Sequence, residues 1–558
     1  MKYIIALILG IFFIQTTQAQ ITKVEIVKAA KLNLNVMVDG ISHKELTSDS
    51  TKRATLKRDS TMMYSDRALL EDVTNNLKAY GNILIVNPNG VTLTGDTLIY
   101  TSATGIAEVR GEEVVLKDSS TTLITDRLYY DMATGDARYQ TGGIVTRNTT
   151  ELTSEKGYYY RFQQIVTFKG EVELNDSVKV QHLETDTLVY NTINEVAYFP
   201  KKTLISTQDG DVITEAGEFD TKTSTTTSRG ETHIESEEYI LDAGNVRDNK
   251  NQGVGFAKKD VRLYSIKENS YIYADEIEYS KSAGNSKAYG RALMERPGDN
   301  DTLYLAADTL ISVSDTVNNV KTLYAYHNVM IYSKQMLGVC DSLVYMYSDS
   351  MLYLYHDPVL WSDQSQIVAD TISASIRNNS IEKMYMDQDA FLIQKDSILN
   401  YFNQIKGRNM VANFDSSYLK KVDVDGNGQC LYFVASEKDS VFMGMNKIDC
   451  SSMVMVFADS NKLSKMHFLY KPDAQFIPPH ELEEPATRLP GFQNRFEEQP
   501  TFPVILSRKR RQDQLIPLEK KTAHKATPEP PEEKKEMLLE KGTPKQEDLE
   551  IADKLEEE

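Results

Sequence analysis

A clock in the sequence constrains this chain more than any local motif. Between Gly81 and Tyr190 one mark returns as Asp96-Thr97-Leu98-Ile99-Tyr100, Asp126-Arg127-Leu128-Tyr129-Tyr130 and Asp186-Thr187-Leu188-Val189-Tyr190. A weaker copy is Glu155-Lys156-Gly157-Tyr158-Tyr159. The form is an acid, an apolar residue two places on and Tyr two places after that. Glycines that close strand-like runs alternate with it, at Gly81, Gly111, Gly142 and Gly170. Successive marks stand about 15 residues apart, which makes a repeat of about 30 residues in two half-units. A fixed period of this size belongs to a repeating architecture.

Within the half-units the apolar residues alternate. Val172, Leu174, Val178, Val180, Leu188 and Tyr190 share one parity, as in a strand with one buried face. A straight strand of 15 residues would run roughly 50 Å, far beyond ordinary strand length, so each half-unit has to bend. The parity changes between Val91/Leu93 and Leu98/Tyr100, across Gly95-Asp96. Gly frees the backbone there and Asp bonds local amides, so the bend belongs at the mark.

The rest of the chain is read outward from this block. Residues 1–19 form a secretion signal: Lys2, an apolar run from Ile4 to Ile14, and small residues at Thr17-Gln18-Ala19. No Cys follows it, so a lipid anchor is not expected, and the destination is the periplasm with association at the outer membrane. Residues 20–220 form the first block of repeats, opened by strands at Val24-Glu25-Ile26 and Leu32-Asn33-Leu34-Asn35-Val36, with Lys44 to Arg58 read as a polar loop. Residues 221–260, rich in Thr, Ser, Asn and Lys, read as degenerate repeats or a join. The second block, 261–470, recovers the mark at Asp275-Glu276-Ile277-Glu278-Tyr279 and Asp341-Ser342-Leu343-Val344-Tyr345, and fades after about 400. Twelve of the 16 prolines lie between Pro472 and Pro544, which is incompatible with a sheet. Residues 471–558 are therefore expected to be a charged, disordered tail, including the basic run Arg508-Lys509-Arg510-Arg511.

Composition narrows the chemistry. A net charge of −19 argues against nucleic acid, because phosphate contacts need a basic face. Three cysteines cannot make a disulfide framework; Cys340, Cys430 and Cys450 read as free thiols, with Cys430–Cys450 the alternative pair. No nucleophile elbow, metal-binding His pair or phosphate loop occurs. His182, placed at an inward parity, reads as a core residue. The recurring Asp reads as a bend residue, since a general acid–base site needs one special pair and not a periodic row. Asp423-Val424-Asp425-Gly426-Asn427-Gly428 resembles the start of a calcium loop, but its twelfth place is Val434, and a hairpin turn explains it better.

The succession Lys78-Ala79-Tyr80-Gly81-Asn82-Ile83, Val91 through Asp96-Thr97-Leu98-Ile99-Tyr100, and Gly105-Ile106-Ala107-Glu108-Val109-Arg110-Gly111 resembles the OstA-like family. That family is named for organic solvent tolerance and includes the periplasmic bridge protein of lipopolysaccharide export and the N-terminal domain of the outer-membrane translocon. The likeness covers roughly residues 50–400, and the length is similar to that of long OstA-like proteins of Bacteroidetes-type bacteria. It implies an all-β fold: an elongated, open β-jellyroll of bent antiparallel strands. It implies a non-enzymatic carrier of lipopolysaccharide that holds lipid A acyl chains in an apolar groove, with no cofactor and no metal. The implied partners are other OstA-like jellyroll domains of the inner- and outer-membrane transport complexes, joined edge to edge, and a homo-oligomer built through the same edges. By motif position the groove lining would be Leu98, Tyr100, Leu128, Tyr130, Leu188, Tyr190, Ile277, Tyr279, Leu343 and Tyr345. The rival expectation is a closed β-solenoid serving as an envelope scaffold or adhesin, with no groove. A solenoid lyase or hydrolase would need a charged cluster interrupting the repeat, and none stands out in the sequence.

Overall fold

The marks of the sequence become bulges. In the strand Leu77–Val86, Gly81 and Asn82 take left-handed φ values of 77° and 46°. Pairing with the strand Thr92–Thr101 steps from Tyr80 opposite Thr97 to Ile83 opposite Gly95, so that Gly81 and Asn82 face Asp96 alone. Two residues against one is a β-bulge, and it turns the strand. The same left-handed pair recurs as Gly170-Glu171 opposite Asp186, Gly290-Arg291 opposite Asp308, and His327-Asn328 opposite Asp341. It recurs again as Gln388-Asp389 opposite Arg408 and Gly426-Asn427 opposite Ser451.

The acid of one half-unit lies over the glycine of the next. A Cβ placed on Gly81 would stand 2.5 Å from Oδ2 of Asp66, and one on Gly290 would stand 2.3 Å from Oδ2 of Asp275. The 15-residue interval is thus a contact between adjacent strands at the outside of the bend. Asn82 Nδ2 donates to Asp66 Oδ2 at 2.7 Å, and Asn328 Nδ2 to Asp308 Oδ2 at 2.7 Å, so the second left-handed residue ties back to the same acid.

Each bulge divides its strand into two arms. One ladder joins residues 77–80, 97–101, 106–110 and 127–131; another joins 83–86, 92–94, 114–117 and 121–125. Apolar residues of both arms point into the space between them. The computed structural model describes residues 23–509 except 179–180, 299–300, 316–319, 335, 378–379, 397–398, 416–417, 437–440 and 459–462. These residues hold 37 strands, all in antiparallel pairings where the register is given. The chain forms two units, one over 23–201 with 205–208 and the other over 209–509 with 202–204. The first unit buries Leu46, Leu56, Leu77, Ile85, Leu98, Val109 and Leu128 between its arms. The second buries Ile277, Leu310, Leu343, Ile372, Met386, Met410 and Met453.

The bent antiparallel strands are those expected from the repeat, but several local expectations are corrected. Of the polar stretch 44–58 only 48–53 is a loop: Ile41–Thr47 and Ala54–Arg58 are strands, because each finds a pairing partner. Residues 221–260, expected as degenerate repeats or a join, form regular sheet, with strands Thr225–Glu235, Tyr239–Asn249 and Val254–Ser265. The two units divide at 201–209. Asp423 to Gly428 is a bulge inside the strand Tyr418–Ala435 and not a hairpin turn. His182 faces outward, bonded to Asn175 and Glu184, because the bulge at Asp186 reverses the parity. All three cysteines are free.

The tail is also shorter than expected. Asp473–Ile477 adds a strand to Phe442–Phe457, and the chain then runs across the outer face of the second unit. Three short 3-10 turns, Pro479–Glu481, Glu484–Thr487 and Phe496–Glu498, lead to a helical turn, Phe502–Leu506. Prolines exclude a sheet here, but they suit an extended strap. Two buried amides fasten it. Gln404 donates to Thr487 O at 2.7 Å and accepts from Leu489 N at 2.7 Å. Gln366 does the same with Gln493 O and Arg495 N, both at 2.8 Å. Leu489 packs on Phe391, Ile393, Leu431 and Phe433, and Ile505 on Tyr273, Leu293 and Tyr304. Each such apolar side chain contributes about 1.5–3 kcal/mol on full burial. Arg508, expected to be solvated, is buried and donates to Ala307 O at 2.7 Å; Lys509 pairs with Glu295 at 2.7 Å. The signal segment 1–19 and the tail residues 510–558 lie outside the described residues.

Candidate functional site

The inner face is built from cross-strand rows. In the first unit Ala79, Leu98, Val109 and Leu128 stand side by side on successive strands. The next row outward is Leu77, Tyr100, Ala107, Tyr130 and Ala137, in which small residues separate the two rings. In the second unit one row runs Ala257, Ile277, Ala288, Leu310, Ala325, Leu343, Leu354, Ile372, Met386 and Met410. Alternation of small and large residues lets side chains from the two arms interdigitate. Toward its C-terminal end the row turns to methionine, whose flexible thioether adapts to irregular surfaces.

All ten lining residues proposed from the sequence lie on these inward rows or at the same parity. Leu98, Tyr100, Leu128, Tyr130, Leu188, Ile277 and Leu343 are buried; Tyr190, Tyr279 and Tyr345 are half-buried. The structure brings Leu98, Tyr100, Leu128 and Tyr130 into one cluster, and Ile277, Leu343 and Tyr345 into another. Burial pushes the Tyr100 and Tyr130 hydroxyls above the usual phenol range. Tyr279 is raised further, by burial and by donating to Asp248 Oδ1 at 2.5 Å. These phenols stay protonated at any physiological pH.

Opposite the bends, the free margins of the two arms face each other across a seam. The ladders run along each arm, and side chains bridge the margins. In the first unit the Arg58 guanidinium lies over the Tyr100 ring, 5.4 Å from its centroid. Asn87 Nδ2 donates to Tyr130 Oη at 2.8 Å, while its Oδ1 accepts from Thr61 Oγ1 at 2.8 Å. In the second unit Lys250 pairs with Asp209 at 3.1 Å, and Lys321 pairs with Glu268. The site is therefore amphipathic: apolar between the arms, polar and charged along the seam. Sequence reading missed the seam residues. They sit at strand ends and turns, outside the repeated mark, and only the register shows which ones meet.

The periodic acids stand at the outside of the bends, where they hold bulge residues. Among the described residues no group of three or more His, Cys, Asp or Glu is arranged to hold a metal ion. Among them, too, no helix is long and apolar enough to cross a membrane.

Comparison with known proteins bears on this architecture. Residues 21–181 match the family model described as OstA-like protein. No curated protein matches the chain. Among solved structures, the chain aligns with LptH, the LptA homologous periplasmic component of the conserved lipopolysaccharide transport device from Pseudomonas aeruginosa. That alignment has 16% identity, covers 19% of this chain and 79% of LptH, and has a TM-score of 0.18. An alignment with the WD40 domain of SCAP from fission yeast has 8% identity over 72% of this chain and 87% of that one, with a TM-score of 0.10. Residues 21–181, which hold most of the acid and glycine clock read between Gly81 and Tyr190, are thus similar to the OstA-like family.

Proposed function

We propose that this protein is an exported, non-enzymatic lipid carrier that holds the acyl chains of lipopolysaccharide between the arms of its bent sheet on the way to the outer membrane. One observation carries the reading. The inward rows are apolar over successive strands, while among the described residues side chains bridge the margins beside them. A two-chain or multi-chain amphiphile would lay its tails along the rows and leave its polar head at the seam. The OstA-like match over 21–181 supports the same class of role. The signal segment supports export to the periplasm.

Partners would add at the sheet edges. Glu25–Lys28 pairs only with Ala54–Arg58, and Lys31–Val38 only with Ile41–Thr47, in the pairings described. Lys31–Val38 also shows Leu34 and Met37 to solvent, at 61% and 64% exposure. An open edge with exposed apolar side chains templates strand addition by another jellyroll or by a second copy.

The filled interior favours a second reading, an envelope scaffold whose inner rows are only a core. Native mass spectrometry of the mature protein, purified from its own envelope without detergent, separates the two. Co-purified lipopolysaccharide supports the carrier. A lipid-free protein that also takes up no added lipopolysaccharide leaves the scaffold.

A further inference from the structure

Arg58 is out of keeping with its surroundings. It follows Leu56 at the same parity on Ala54–Arg58, so its side chain points inward, and it is only 7% exposed. Its Nε and Nη1 have no hydrogen-bond partner. A guanidinium is charged at every physiological pH, and a buried charge without a partner is strongly unfavourable. Among the described residues no carboxylate stands within ion-pairing distance of it. Asp59 and Asp131 both act on the Tyr100 hydroxyl, but neither pairs with Arg58, and Asp131 Oδ1 accepts from the backbone of Ala133 at 2.8 Å and Thr134 at 3.1 Å.

Other unmet groups lie around the same point. Tyr100, 1% exposed, carries the ring under the guanidinium, and its hydroxyl has no hydrogen-bond partner of good geometry. Ser102 follows at the same parity, buried, its hydroxyl beside that of Tyr100 and likewise without a partner of good geometry. Gly105, at φ 73°, leaves the approach open: a Cβ there would stand 3.6 Å from Nη2 of Arg58. Two unmet guanidinium donors and two buried hydroxyls thus lie around the Tyr100 ring at the seam, beyond the apolar row of Leu77, Tyr100 and Ala107. That is the donor set of an oxyanion site, and its position suits an anion carried on apolar chains.

We infer that Arg58, with Tyr100 and Ser102, binds the phosphate of a lipid headgroup at the seam of the first unit while the acyl chains lie between the arms. The inference rests on the carrier reading and names the chemistry by which the carrier recognises its cargo. Phosphate in solution offers the same oxygens, so the test has to separate the two sources.

The experiment compares three probes on the mature protein by native mass spectrometry and tryptic protection: bis-phosphorylated lipid A, lipid A stripped of its phosphates, and inorganic phosphate. The variants are Arg58→Gln, Arg58→Lys and Tyr100→Phe. Wild type is expected to favour phosphorylated over stripped lipid A at least tenfold. Arg58→Gln should abolish that preference, so that phosphorylated and stripped lipid A bind alike, and Arg58→Lys should restore part of it. Tyr100→Phe should weaken it. Arg58→Gln should melt no lower than wild type without ligand, since it removes an unpaired buried charge; a clear drop would mean that the cation serves packing alone and would overturn the inference. Equal binding of both lipids by wild type, or a preference that survives Arg58→Gln, would also overturn it. Binding of inorganic phosphate by wild type but not by Arg58→Gln, without preference between the lipids, would assign the site to a free anion and overturn the headgroup assignment. If neither lipid binds, the carrier reading itself fails, and the phosphate arm alone decides whether Arg58 is an anion site.

Discussion

Gly290→Ala tests the origin of the repeat in numbers. Gly290 has φ 73°, a region that costs an L-residue about 1–2 kcal/mol. Its new Cβ would stand 2.3 Å from Oδ2 of Asp275 and 2.8 Å from that residue's Cβ and Cγ, so the acid or the strand has to move. Overpacking of this kind costs about 1–3 kcal/mol. The sum is a loss of about 2–5 kcal/mol. The assay is urea unfolding of the mature protein followed by the fluorescence of Trp361, the single tryptophan, which is buried in the second unit and reports on it. Asp275→Gly removes the clash, so the double variant should lose about 1–2 kcal/mol less than the two single losses added together. A loss below about 0.5 kcal/mol for Gly290→Ala, or strict additivity of the pair, would refute the claim that the acid–glycine interval is a packing contact.

Three further outcomes follow from the second unit. Gln404→Ala and Gln366→Ala each strand buried strap backbone groups and should cost about 1–3 kcal/mol, read as faster amide exchange across residues 487–495. Burial opposes ionisation of Asp242, but the hydrogen bonds from His233 at 2.7 Å and Arg262 at 2.7 Å outweigh it and hold the carboxyl below its ordinary value. A depressed folded value stabilises above the unfolded carboxylate range, and that stability is lost as pH falls through the folded value. The Trp361 midpoint should therefore drop on acidification below about pH 4, and Asp242→Asn should flatten the drop. Burial pushes the Cys340 and Cys430 thiols up to about 12, so neither should react with a maleimide at pH 8 until urea unfolds the protein, whereas half-buried Cys450 should react slowly in the native state.

The sequence announces the bend wherever glycine fills the left-handed position. Gly81, Gly170, Gly230 and Gly290 all have positive φ, and their spacing is visible without a structure. It falls silent where other residues fill that position. Lys259-Asp260, His327-Asn328, His356-Asp357 and Gln388-Asp389 carry the same left-handed pair, mostly with Asn or Asp, which tolerate it better than most. That substitution is why 221–260 reads as degenerate repeats or a join; after 400 the bulge keeps Gly426, but Arg408 and Ser451 stand where the acid would, so the mark fades although the bulges continue. The inner rows are legible, because burial on one face imposes a period of two. The strap is not: its anchors Leu489, Phe492, Phe496 and Ile505 follow no period, and proline content points to disorder unless a docking face is known. The seam is hidden for another reason. Arg58 meets Tyr100, and Asn87 meets Tyr130, only through the pairing register of strands far apart in sequence.

The most direct test of the carrier is the width of the seam. The inner rows are packed by their own side chains, so acyl chains enter only if the arms part. Spin labels at Ser60→Cys and Ala103→Cys, both exposed beside Arg58 and Tyr100, would measure the gap in a background with the three native cysteines changed to alanine. The account predicts a longer label-to-label distance when lipopolysaccharide is bound than when it is absent, returning when the lipid is extracted. Lipopolysaccharide bound with the distance unchanged would contradict it, since the lipid would then lie outside the arms.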